Sequence, residues 1–194
     1  LRHLIELGPR VAAAARAREP LSSEALRAWQ QGIMHGLMAP DGEPFGVFRG
    51  EPGLDDDEVE LGRGGPPAVP SDQVAAERAA FDRMLQEQVG ELDTSLRRGR
   101  VAEDLTEDRL GAVLILCAWA HGEWVRIHPF PNGNGRTARL LVNSIALRYG
   151  LPAFLQPRPR PGPAYERVSA RAMVGDWPAA IPLFQHLYAA ALAG

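Results

Sequence analysis

The sequence predicts an all-α fold carrying one small β-hairpin. Three observations carry that reading. Most of the 194 residues fall in stretches whose apolar positions recur every three or four residues, the period of an amphipathic helix. Strand and helix patterns do not alternate along the chain, so a parallel sheet has no support. One segment, residues 43–70, breaks the helical period with prolines, glycines and a short alternating run.

The elements follow in order. Residues 1–19 interleave Arg with Ala and Leu and read as a helix, with Arg10, Arg16 and Arg18 on a solvated face. Pro20-Leu21-Ser22-Ser23-Glu24 opens a second helix with a serine cap and an acidic first turn. Leu26, Trp29, Ile33 and Leu37 mark its buried side, and Pro40-Asp41-Gly42 ends it. Asp55-Asp56-Asp57-Glu58 is an acidic loop without the ligand spacing of a calcium site. Val59-Glu60-Leu61 alternates like a strand and Gly62 to Pro70 is rich in Gly and Pro, so the segment is a hairpin or an extended loop. Ser71-Asp72-Gln73 caps a third helix through Val74, Phe81, Leu85 and Val89, and residues 93–104 form a charged connection. Thr106-Glu107-Asp108 opens a fourth, Arg109 to about Arg126, apolar nearly all round and therefore central. Its His121 reads as a hydrogen-bonded core histidine. A fifth helix runs to Tyr149 and stops at Gly150-Leu151-Pro152. The proline- and arginine-rich stretch 156–163 is an extended connector. Two last helices, Ala164 to Val174 and Pro178 to Ala193, carry Trp177 and Phe184 as core anchors.

Composition narrows the function. The chain is 45% hydrophobic and 23% charged, ordinary for a globular domain. A net charge of −3 gives no basic surface for nucleic acid. Cys117 is the single cysteine, so no disulfide forms within the chain, and a reducing cytoplasm is the expected setting. The longest apolar run, Gly111 to Ala120, falls short of the roughly 20 residues that a membrane-spanning helix needs, so no membrane association is expected. The first residue is Leu1, which leads us to expect that the native start is missing.

Chemistry concentrates at Ile127-His128-Pro129-Phe130-Pro131-Asn132-Gly133-Asn134-Gly135-Arg136-Thr137-Ala138-Arg139. Pro129 bars His128 from helical backbone, so the central helix stops there. Gly133 and Gly135 permit positive φ and let backbone approach a ligand. The following helix begins near Asn134 or Gly135, and its first N–H groups form an anion site at the positive end of the dipole. Arg136 and Arg139, three apart, share a helix face and can grip one phosphate chain in fork geometry. Asn134 adds an amide donor. His128 sits at the lip, with an ordinary pKa suited to taking a proton near neutrality.

This segment resembles the motif of the Fic (Fic/Doc) domain family, His-Pro-Phe-x-(Asp/Glu)-Gly-Asn-Gly-Arg-x-x-Arg, at every fixed position but one. Gly46-Val47-Phe48-Arg49 looks like the family's upstream Gly-x-Phe-Arg element. Residues 59–70 look like the flap hairpin that docks a target protein, and Gly150-Leu151-Pro152 matches the end of the motif helix. The resemblance runs from about residue 21 to 190. It divides the chain into an N-terminal helical extension, 1–20, and a Fic domain, 21–194.

The resemblance implies an all-α protein adenylyltransferase that moves AMP from ATP, with Mg²⁺, onto a Ser, Thr or Tyr hydroxyl of a target protein. His128 would be the general base and Phe130 the loop's anchor. Asn134 and the N–H groups of Gly133 and Gly135 would hold the inner phosphates. Arg136 and Arg139 would neutralise the outer ones. The flap would present the target by strand addition. Tyr165 is a candidate to stack on adenine, although a core tyrosine is the simpler reading. Asn132 stands where the family has an acidic Mg²⁺ ligand, so weak metal binding, with ATP supplying most ligands, is expected. The alternatives are transfer of another nucleotide or phosphate group, and a nucleotide-binding regulatory module with weak catalysis. The family's inhibitory (Ser/Thr)-x-x-x-Glu-(Gly/Asn) sequence does not occur here. The expected explanations are three: it was lost with the missing start, it lies on an antitoxin-like partner acting in trans, or the protein is constitutively active or toxic.

Overall fold

A computed structural model of the chain describes residues 2–37, 44–56, 58–60, 65, 67–96, 105–157, 159 and 161–193, with side chains from Leu7 onward. Seven α-helices are described: α1 (Arg2–Ala17), α2 (Ser23–Met34), α3 (Ser71–Ser95), α4 (Glu107–Ile127), α5 (Asn134–Arg148), α6 (Pro163–Met173) and α7 (Ile181–Ala193). A 3-10 turn, Trp177–Ala180, leads into α7.

α4 is the axis. It packs against α3, α5, α6 and α7, while α1 and α2 lean on α5 from the other side. Val113, Cys117, Ala118, Ala120, Trp124 and Ile127 are fully enclosed, as all-round apolarity requires, although Ile115 stays 45% exposed. By length and hydropathy α4 could cross a membrane, contrary to the expectation from its apolar run. Here 67% of that window is buried inside the protein, so it serves as the core helix. α1 contributes Leu7 and Val11 to a second small cluster with Ile33 and Leu140.

Local chemistry sets the boundaries. The Ser22 hydroxyl accepts from the Ala25 N–H at 3.4 Å and starts α2, which stops at Met34, short of Leu37. Pro40-Asp41-Gly42 lies outside the described residues. Ser71 is the first residue of α3 rather than its cap: its hydroxyl donates to the Asp55 carbonyl at 2.7 Å and ties the helix to the acidic loop. Gly150, at φ 80°, ends α5 in the left-handed conformation that glycine tolerates.

Among the described residues there is no β-strand. Glu60 and Pro67 form one isolated antiparallel bridge, and the Ala68 N–H donates to the Val59 carbonyl at 2.8 Å. Residues 61–64 and 66, in the middle of the expected hairpin, lie outside the described residues.

Candidate active site

α4 ends where Pro129 forbids another turn. His128 takes the left-handed conformation, φ 50° and ψ 56°, unusual for a residue with a Cβ. Its Nδ1 lies 3.2 Å from the Val125 carbonyl oxygen. A carbonyl only accepts, so Nδ1 carries the proton and Nε2 is the basic nitrogen. Burial lowers the His128 pKa to about 4, with the Arg49 charge adding to the shift and the Val125 hydrogen bond opposing it. The expectation of an ordinary histidine pKa is therefore corrected: the imidazole is neutral, with a bare nitrogen, at any ordinary pH.

The loop after His128 is held by its carbonyl oxygens. Arg49 is 1% exposed and donates from Nε to the His128 carbonyl at 2.8 Å and from Nη2 to those of Ile127 at 3.1 Å and Val69 at 2.6 Å. Its own N–H donates to the Pro129 carbonyl at 2.8 Å. Gln30, also 1% exposed, donates to the Asn132 carbonyl at 2.9 Å and accepts from the Gly46 N–H at 2.7 Å. Phe130 is fully buried and stacks on Phe48 at 4.7 Å. The Arg27 and Arg78 guanidiniums lie 4.1 and 3.5 Å from the Phe48 ring centroid, so the aromatic pair is clamped by cations.

Gly133 caps α5 at φ 91°. A Cβ there would meet Gln30 Cγ at 3.3 Å and Met34 Sδ at 3.4 Å, so both conformation and space call for glycine. Gly135 is different: it lies in the first turn of α5 and is not among the positive-φ glycines. A Cβ there would sit 3.5 Å from Arg139 Nη1, an ordinary contact, so neither conformation nor space demands glycine at this position.

The Asn134 side chain does not point at a ligand. It is 1% exposed, accepts from the Phe130 N–H at 3.0 Å and donates to the Phe130 carbonyl at 2.6 Å. It staples the loop, while the Arg136 and Thr137 N–H groups donate to the Gly133 carbonyl, each at 3.0 Å, and Asn134 and Gly135, which open α5, line the cavity. Asn132 Oδ1 accepts from Arg136 Nη2 at 3.3 Å. Arg139 is 4% exposed and donates to the Pro157 carbonyl at 2.9 Å and to the Tyr165 hydroxyl at 3.4 Å, while its Nε is buried without a partner.

All seven residues expected at the site, His128, Asn132, Gly133, Asn134, Gly135, Arg136 and Arg139, line one cavity of about 570 Å³. Pro131, Pro159 and Met173 complete its wall. The volume lies within the usual range for ligand pockets. Two guanidiniums, the N-terminus of α5 and no Asp or Glu among its described lining residues make it a site for a polyanion. Tyr165 is 4% exposed in the core behind Arg139, the simpler of its two expected placements.

The fit to Mg²⁺ is poor. Among the described residues no group of three or more His, Cys, Asp and Glu could hold a metal. The Asn132 oxygen is uncharged and already faces a guanidinium, where a second cation would be repelled. The residues present do not make a protein-held metal centre.

The profile of the Fic/DOC family matches residues 20–146, well over half of the chain. The protein belongs to the Fic/DOC family. Sequence comparison also finds a protein adenylyltransferase Fic in Drosophila persimilis and in Drosophila melanogaster, each 51% identical over 41 residues. Those matches cover 21% of this chain and 8% of the relatives' length. The crystal structure of a Fic domain containing signaling protein from Bacteroides thetaiotaomicron superposes with a TM-score of 0.64 at 19% identity, covering 94% of this chain and 63% of that one. At that identity the likeness is one of fold.

Sequence reasoning left Gln30 and Met173 out of the site, and it gave Arg49 no role there. Gln30 lies 102 residues from the Asn132 carbonyl and Arg49 lies 79 residues from the His128 carbonyl, which local spacing does not reveal. The signal available for Arg49 was its place in the Gly-x-Phe-Arg element.

Proposed function

We propose that this Fic protein transfers AMP from ATP to a hydroxyl side chain of a target protein. The observation that carries the reading is the cavity itself: a neutral, hydrogen-bond-oriented histidine at the lip of a two-arginine pocket on a helix N-terminus, with no carboxylate among its described lining residues. The curated relatives named as adenylyltransferases support it.

In this mechanism His128 Nε2 takes the proton of the target hydroxyl. The freed oxygen attacks the α-phosphorus, the bond from the α-phosphorus to the α,β-bridging oxygen breaks, and pyrophosphate leaves with the electron pair. Arg136 and Arg139 offset its charge, and the N–H groups that open α5 hold the inner phosphates. Rate enhancement comes from positioning and preorganised charge. A pKa of about 4 makes His128 a weak base, so proton transfer runs concerted with P–O bond formation. No step depends on a metal held by the chain. A divalent cation would arrive with the nucleotide.

The target is read as docking by strand addition at residues 59–70, where the Glu60–Pro67 bridge supports a hairpin flap. Control by an antitoxin-like partner in trans, a cytoplasmic setting and a Fic domain over 21–194 with 1–20 as an extension belong to the same proposal. A second reading, a nucleotide-binding regulatory module with weak catalysis, draws on Asn132. Incubation of the protein and a cell lysate with ATP labelled at the α or the γ position separates them. Label on protein from the α position supports AMP transfer. Label from the γ position alone means phosphate transfer. ATP binding without label means the regulatory module.

A further inference from the structure

We propose that Tyr165, backed by His121, is a positioning residue that aims the Arg139 guanidinium into the phosphate cavity. The inference rests on the nucleotide reading above and assigns a task to two core residues that the reaction scheme leaves unused.

Three helices meet at this point: α4 brings His121, α5 brings Arg139 and α6 brings Tyr165. Arg139 Nη1 donates to the Tyr165 hydroxyl oxygen at 3.4 Å. The hydroxyl hydrogen must then point elsewhere, and His121 Nε2 lies 2.8 Å away. In this proposal the chain of donation runs from Arg139 to Tyr165 to His121, with Nε2 bare and the ring proton on Nδ1, which is buried without a hydrogen-bond partner. His121 is fully buried, and burial followed by the Arg139 charge holds its pKa down to about 3, so the acceptor persists at every working pH. The ring cannot readily turn away. Tyr165 and Phe184 meet it edge-on, with centroids at 5.4 and 5.5 Å.

The second anchor is the Pro157 carbonyl, which accepts from Arg139 Nη2 at 2.9 Å. Two fixed points, with the Arg139 side-chain stem as a third, hold the plane of the guanidinium. Both anchors are neutral oxygens, and among the described residues no ion pair involves Arg139. A carboxylate would orient the group and cancel its charge at once. A hydroxyl and a carbonyl orient it and leave the charge for a ligand, with the buried Nε lacking a partner on the same group.

The test is calorimetric titration of the full chain with ATP and with AMP. If Arg139 meets the outer phosphates, only ATP senses its aim. Tyr165→Phe is expected to weaken ATP binding about tenfold and to leave AMP within about twofold, the loss of one hydrogen bond to a charged group. His121→Leu should follow Tyr165→Phe, whereas His121→Gln keeps an acceptor oxygen and most of the affinity. This pair carries the test if Tyr165→Phe fails to fold. In an Arg139→Ala background Tyr165→Phe should change nothing further. Equal weakening of ATP and AMP, no weakening of either, or continued weakening of ATP without Arg139 overturns the proposal. A wild type that binds ATP no better than AMP overturns the reading of the cavity and this inference with it. A preference for ATP that is undiminished in Tyr165→Phe overturns this inference alone.

Discussion

His121 and His128 sit seven residues apart on one stretch of chain, and burial lowers the pKa of both, to about 3 and about 4. Their surroundings separate them. His121 lies inside α4, where its ring is closed in by Tyr165 and Phe184. His128 lies just past the helix end, where its backbone is left-handed and its ring lines a cavity. The same side chain becomes a fixed acceptor in one place and a candidate base in the other. What decides is whether its free nitrogen meets a protein hydroxyl or an open site.

The largest effect that would break the comparison is chemical. His128→Ala is expected to lower transfer of the α label to protein by about 10²- to 10⁴-fold, the usual worth of a positioned base. His121→Gln should leave the label within about threefold, since it keeps an acceptor at the same place. Comparable losses in both variants would erase the distinction.

The next effect concerns what holds His128 in place. Arg49→Met leaves the Ile127, His128 and Val69 carbonyls without their donor, and should cost about 3 kcal/mol of stability in urea unfolding. The same variant removes a positive charge, so the His128 pKa should rise from about 4, which NMR titration of the ring would show. An unmoved His128 resonance would mean that Arg49 does not act on it.

Third, Gly133→Ala places a Cβ at φ 91° against Gln30 and should lower stability by about 1–2 kcal/mol, read as a fall in Tm.

Fourth comes pH. Both histidines fold with a pKa below the ordinary 6.5. Below that value the unfolded chain takes up protons that the folded chain refuses until about pH 4 at His128 and about pH 3 at His121. Stability is therefore full above pH 6.5 and declines as pH falls through that window. Tm measured from pH 7.5 downward should fall, and should fall less in His121→Gln. Parallel curves would show that His121 titrates as freely folded as unfolded.

The smallest effect is at Asn132. Asn132→Asp should raise Mg²⁺ affinity and strengthen the contact with Arg136 by about 1 kcal/mol or less. Neither metal affinity nor rate changing would refute the account of that position.

Much of this architecture is legible in the sequence. α4 and α5 announce themselves by apolar period, by Pro129 and by Gly150, all of which act within a turn or two of chain. The cavity was legible for the same reason, since its expected lining comes from twelve consecutive positions, 128–139. Side-chain direction was not. Asn134 reads as a ligand donor until its amide is seen to bond both the N–H and the carbonyl of Phe130. Gly135 reads as a positive-φ residue until α5 is seen to include it. The pKa of His128 depends on enclosure, which no local pattern encodes.

The clamps on the loop grip carbonyl oxygens: Gln30 holds residue 132, while Arg49 holds residues 127, 128 and 69. Every amino acid has that oxygen, so the grip does not depend on the identity of the residue being held. The motif letters can be copied into another pair of helices, yet the shape they need would stay behind with α2 and the 46–49 strap. A transplant of this site must therefore move Gln30 and Arg49 with the motif, or it will carry the letters without the geometry.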